Sequence, residues 1–219
     1  MKNIKLFITR EFKQHFILFS FVLFCIALLL IRAKITHSIF FFFLIWNLFL
    51  AYTPLALASV MMSKISLIEK PYCFYPLLLC WLLLLPNAPY LITDFTHLGK
   101  EDGVPIWFDI LLLISFAAAG MFFGLASMKK MYAILASKFN ASIAHSIMLI
   151  TCLLSGFGIY LGRFLRYNSW DILYRPFSLM AGIFGSLFSV QSCRPAWGIM
   201  LGFGTLMYLL FSLYNDAEN

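Results

Sequence analysis

Long apolar runs separated by short polar clusters fill the chain from Phe16 to Tyr214. A membrane-crossing helix needs about 20 mostly apolar residues to cover roughly 30 Å of hydrocarbon. Seven stretches meet that length, at about 15–31, 38–62, 72–93, 104–128, 141–162, 174–193 and 196–214. The pattern predicts an all-α fold, a polytopic transmembrane helix bundle forming a single domain over 1–219. The first stretch is short and follows basic residues, as a signal peptide would. Its end, LLLIRAKITHS, lacks a small-x-small cleavage site, so it reads as a permanent span. The sixth is rich in Gly and Ser, and only a few residues around Arg194 and Pro195 separate it from the seventh. Six spans is therefore the fallback count. Ahead of the first span, Ile4, Ile8 and Phe12 share a helical stripe, which suits a short amphipathic lead-in lying on the membrane surface.

The third run closes in LPNAPYLITDFTHL, Leu85 to Leu98, where the apolar pattern gives way to two prolines and several polar residues. Each proline lacks an N–H and crowds the carbonyl four residues back, which frees the carbonyls of Leu82 and Leu85. Unpaired carbonyls in hydrocarbon cost several kcal/mol each, so such a break survives only against protein or a wet cavity. Asn87, between the prolines, is placed to answer one of the freed groups. The second half of the chain carries three GxxxG pairs, Gly120–Gly124, Gly158–Gly162 and Gly198–Gly202, which let helices approach closely within a bundle or between two copies.

Composition agrees with the pattern. Only 11% of residues are charged, where a soluble domain has about a quarter, and the mean hydropathy is +0.92. The net charge of +7 raises the question of nucleic acid. However, Lys and Arg lie in short clusters between apolar runs, without the basic face that such binding uses. They serve instead to set topology. Seven spans put ten Lys and Arg on the N-terminal side and six on the other. That balance predicts a cytoplasmic N-terminus and an external C-terminus in a cell membrane. The five cysteines form no CxxC pair and the four histidines no HExxH, so neither a cysteine zinc site nor a helix-borne zinc protease is expected. No cofactor is named by the sequence, and the last predicted span has no lysine to carry a retinal-type Schiff base.

Ionisable residues gather at one end of the predicted bundle. Asp94 and His97 are spaced i, i+3, as are Arg163 and Arg166 in GRFLRYNSWD, Gly162 to Asp171. Asp109 falls about one turn into the fourth span, where the helix dipole favours a carboxylate. Under the charge count all of these share the outer face. Asn47 and His145 are the main polar candidates nearer the middle.

LPNAPYLITDFTHL, then WFD, then GRFLRYNSWD, at this spacing, resemble the bacterial integral membrane family known as domain of unknown function 1361 (DUF1361). The resemblance covers most of the chain and is specific at Leu85–Leu98 and Gly162–Asp171. It implies a multi-span membrane protein and supplies no activity, cofactor or catalytic residue.

Two kinds of reading remain open for these residues. In one, Asp94, His97 and Asp109 supply proton transfer or bind a divalent cation, while Asn87, Tyr90, Arg163, Arg166, Asn168, Trp170 and Asp171 bind an anionic lipid or lipid-linked substrate from the bilayer. Guanidinium forks match phosphate and carboxylate bidentately, which is why the arginines matter to it. In the other, the same residues cap loops, repair the broken helix and pair with one another in a structural or assembly subunit. A transporter is a third possibility, weakened by the lack of internal repeats and of midplane charge. Whether the outer-face residues enclose a space or close on each other separates the first two.

Overall fold

The computed structural model describes residues 2–100, 103–167, 171–188 and 193–216. Ten α-helices run through them: α1 (Lys2–Thr36), α2 (Phe43–Ser63), α3 (Ile65–Glu69), α4 (Pro71–Leu84), α5 (Asn87–Tyr90), α6 (Ile106–Lys138), α7 (Ala141–Arg163), α8 (Asp171–Tyr174), α9 (Pro176–Phe188) and α10 (Cys193–Asp216). No strand occurs among the described residues. Helix starts follow from local chemistry. Pro71 occupies the first turn of α4, where its missing N–H costs nothing. Asn140 caps α7, its side-chain oxygen accepting from the Ile143 amide at 2.8 Å.

Six helical segments are long and apolar enough to cross a membrane: His15–Thr36, Phe40–Ser63, Pro71–His97, Ile106–Lys138, Ala141–Arg163 and Cys193–Asn215. The fallback count is thus the one found among the described residues, and the expected sixth span is not part of it. The expected sixth span is α9, whose 13 residues rise about 20 Å, well short of the hydrocarbon thickness. It starts at Pro176, and Tyr167, just past the end of α7, binds it. The Tyr167 hydroxyl lies 2.8 Å from the Ser178 carbonyl and 2.7 Å from its Oγ. Lys2–Thr36 is one helix of 35 residues, so the expected lead-in is continuous with the first span.

Contacts between helices define two faces. At the proximal face, where the chain starts, Lys138 at the end of α6 donates to the Ile68 carbonyl at 2.7 Å. At the distal face, the start of α2, the end of the α4 span, the start of α6 and the end of α7 meet. Helix α10 runs antiparallel to α7: Ala196 packs with Phe157 and Tyr160 near the distal end. At the other end of α10, Phe211 meets the Tyr132 ring and Tyr214 the Lys129 ammonium. Both termini therefore lie on the proximal face. Arg194 moves to the distal side, and the Lys and Arg balance becomes nine against seven.

Helix α6 is central, since its side chains enter both large apolar clusters. It holds α4 through a buried hydrogen bond from Trp81 Nε1 to Ser127 Oγ, 2.8 Å. The proline break is gripped from two sides by glycines. A Cβ on Gly120 of α6 would lie 2.8 Å from the Ala88 carbonyl oxygen, and one on Gly124 would lie 2.9 Å from Ala88 Cβ. On α7, a Cβ on Gly158 would stand 2.6 Å from Pro86 Cγ, and one on Gly162 3.2 Å from the Tyr90 ring. Two GxxxG pairs thus exist so that Pro86–Tyr90 can sit between α6 and α7. The third pair differs: Gly198 and Gly202 meet nothing within 4 Å.

Candidate functional site

The helix break is repaired locally. Helix α4 ends at Leu84, and Leu91–His97 is a 3-10 helix. The Ala88 amide turns to the Leu85 carbonyl at 3.1 Å, one residue tighter than an α-helix requires. That satisfies the carbonyl Pro89 would have orphaned. It also strips the Leu84 carbonyl of its donor, and Asn87 Nδ2 supplies a replacement at 2.8 Å. The group that Asn87 serves is therefore Leu84, not Leu82 or Leu85. Pro54 in α2 has a parallel repair, in which Thr53 Oγ1 donates to the freed Leu50 carbonyl at 2.7 Å.

Past the break, the 3-10 turn carries Asp94 into the bundle, 1% exposed. Its Oδ2 accepts from Asn47 Nδ2 of α2 at 2.9 Å, and Arg163 Nη1 of α7 stands 3.7 Å from Oδ1. The second distance is an ion pair, too long for a hydrogen bond. Three residues on, His97 lies against the Phe40 and Phe43 rings, with Lys100 Nζ 3.3 Å from its Nδ1. Asp109 is engaged elsewhere. Arg32 Nε donates to its Oδ1 at 2.6 Å and Nη2 to its Oδ2 at 3.3 Å, with both side chains buried and the guanidinium 4.2 Å from the Phe41 ring centroid. Asp94, His97 and Asp109 accordingly have separate partners. No three His, Cys, Asp or Glu side chains among the described residues are grouped as a metal would need.

Arg163 ends α7, so Arg166 does not follow it on a helical face as the i, i+3 spacing suggested. Instead Arg166 is exposed, at φ 58°, while the Tyr167 amide reaches back to the Leu161 carbonyl at 3.1 Å. That backbone region suits glycine and strains an arginine. Asn168 and Trp170 lie outside the described residues. Asp171 opens α8, its carbonyl accepting from the Arg175 amide at 2.8 Å.

Beside this cluster is a cavity of about 550 Å³, within the range that small-molecule sites occupy. Apolar side chains from α2, α4, α7, α9 and α10 make most of its wall, and α9 contributes the helical stripe Leu179, Ile183 and Leu187. Among the described residues its polar lining comes mainly from Asn47, Asn87, Tyr90 and Tyr167, with no ionisable acid or base besides the two phenols. Asn47 joins the two features, since it lines the cavity while donating to Asp94. Tyr167 lines the cavity too, and Arg166 precedes it in the chain.

Residues 46–210 match the family described as "Protein of unknown function (DUF1361)". The chain belongs to this family. No curated protein and no solved structure matches it. The DUF1361 match begins inside α2, so it takes in Asn47, the proline break, Asp94, Asp109 and the end of α7, and leaves Arg32 out. Arg32 and Asn47 are the site partners that sequence reading assigned otherwise, one to topology and the other to the bilayer middle. A charged residue four short of the end of an apolar helix was the available signal for Arg32. His145, the other midplane candidate, lies early in α7 near the proximal face, 3.1 Å from the Tyr132 hydroxyl.

Proposed function

We propose that this DUF1361 protein is a cell-membrane protein, with a cytoplasmic N-terminus, that binds an anionic lipid or lipid-linked molecule at its distal, extracytoplasmic face. The hydrocarbon part of the ligand occupies the cavity, and Arg163 and Arg166 meet its anionic group. The observation that carries this reading is the cavity itself: it is apolar, it adjoins the break, and its lining includes Asn47, which holds the Asp94 that faces Arg163, and Tyr167, which follows Arg166 in the chain. Binding, not proton transfer, is the function this favours, because Asp94, His97 and Asp109 all have partners. The excess of proximal Lys and Arg supports the orientation, the more so because Arg32 and Arg163 on the distal side are ion-paired.

Arg166→Gly separates binding from folding. Relief of the left-handed backbone leaves stability unchanged or raises it by up to about 1 kcal/mol. The variant, extracted under native conditions, should carry less anionic lipid by mass spectrometry than the parent protein. An unchanged lipid complement would remove the basis for the proposal. A purely structural role is favoured by one observation, the closed Arg32–Asp109 pair, and it is confined to that pair.

A further inference from the structure

The two arginine–aspartate pairs of the distal face are built differently. Arg32 and Asp109 are both buried and joined by two hydrogen bonds, at 2.6 and 3.3 Å. Arg163 approaches Asp94 only to 3.7 Å, is 21% exposed, and its guanidinium makes no hydrogen bond to a described residue. Arginine forks ordinarily close on a carboxylate at about 2.7–2.9 Å. One pair is a clamp. The other keeps its donors open while a fixed carboxylate, held by Asn47, neutralises it.

We infer that Asp94 makes the distal site selective for a phosphoryl headgroup over a carboxylate; this rests on the amphiphile-binding reading above. A ligand carboxylate offers Arg163 only the unit charge and two oxygens that Asp94 already presents, so it gains little by competing for the guanidinium. A terminal phosphomonoester offers three acceptor oxygens and a charge of about −1.5 to −2, enough to draw Arg163 outward. Arg166, exposed in the adjoining turn, supplies the second cation that such a group needs. Asp94 stays behind with Asn47 as its hydrogen-bond partner. It acts on the ligand through Arg163, as a positioning and specificity-determining residue.

The test is competition against a fluorescent phosphatidic acid bound to the full-length protein in neutral detergent micelles. The competitors are unlabelled dioleoyl phosphatidic acid, oleate and inorganic phosphate. Phosphatidic acid should compete at least about ten-fold better than oleate for the native protein, and in Asp94→Asn the gap should fall to within about three-fold as oleate improves. If native protein takes oleate and phosphatidic acid equally, the selectivity inference is wrong and the amphiphile reading survives. If the labelled lipid does not bind at all, both are wrong. If inorganic phosphate competes as well as phosphatidic acid, the phosphoryl preference stands and the hydrocarbon part of the proposed function goes. A gap unchanged in Asp94→Asn overturns the role of Asp94. Should that variant not fold, Asn47→Ala, which removes the partner holding Asp94, is read in its place. The same narrowing is expected there, and an unchanged gap overturns the inference.

Discussion

Asp109→Asn removes the charge that faces Arg32 while keeping nearly the same shape. The guanidinium is then 1% exposed with no carboxylate opposite, at a helix end where two hydrogen bonds of 2.6 and 3.3 Å had been. Breaking one partner of a buried ion pair costs about 3–5 kcal/mol, because an uncompensated charge is left in place. At about 2–4 °C per kcal/mol for a chain of this size, the melting temperature should fall by roughly 6–20 °C. Replacing both partners, with Arg32→Met and Asp109→Leu, should recover most of that loss. Buried pairs exchanged for apolar side chains are often neutral or better, and methionine can pack on the Phe41 ring that the guanidinium now covers. Thermal unfolding in detergent, followed by the fraction remaining monodisperse on size exclusion, measures the parent and both variants. A single variant that melts within a degree or two of the parent would show that the pair is not the clamp described. So would a double variant no more stable than the single.

Two further expectations concern the fold. Gly158→Ala puts a methyl group 2.6 Å from the rigid Pro86 ring and should destabilise by about 1–3 kcal/mol, whereas Gly198→Ala meets nothing and should be neutral or slightly stabilising; equal melting temperatures would contradict the grip on the break. Six spans place both ends of the chain on one side, so tags at either terminus of the protein in sealed inverted vesicles should have the same protease accessibility. Opposite accessibility would restore a seventh span.

The interrupted third span was legible because proline chemistry is local: a missing N–H frees a carbonyl wherever the chain goes. The identity of the carbonyl that Asn87 serves was not, since it depends on the Ala88 amide turning to Leu85, a choice made by the tight packing of Ala88 under Gly120 and Gly124. Span counting went wrong at α9 because hydropathy sums composition without regard to where a helix stops. The Ser and Gly residues of that stretch and the short link at Arg194 and Pro195 were the warnings. Arg32 was counted as a topology signal because a charge tally cannot tell a loop cation from one folded onto a carboxylate 77 positions away. Asn47 read as a neutral polar residue near the middle, and only the approach of the 3-10 turn to the start of α2 makes it the partner of Asp94.

The 77-residue separation of Arg32 from Asp109 also fixes an order of events during synthesis. At about 5–20 residues per second, Arg32 emerges roughly 4–15 s before its counter-charge. Through that interval the first helix holds a cation at its distal end that must snorkel towards water or headgroups. It can dock on the bundle only when the start of α6 arrives. The first span made is thus locked only once the fourth has started to form, and an Asp109 variant should leave newly made chains with α1 loose from the rest.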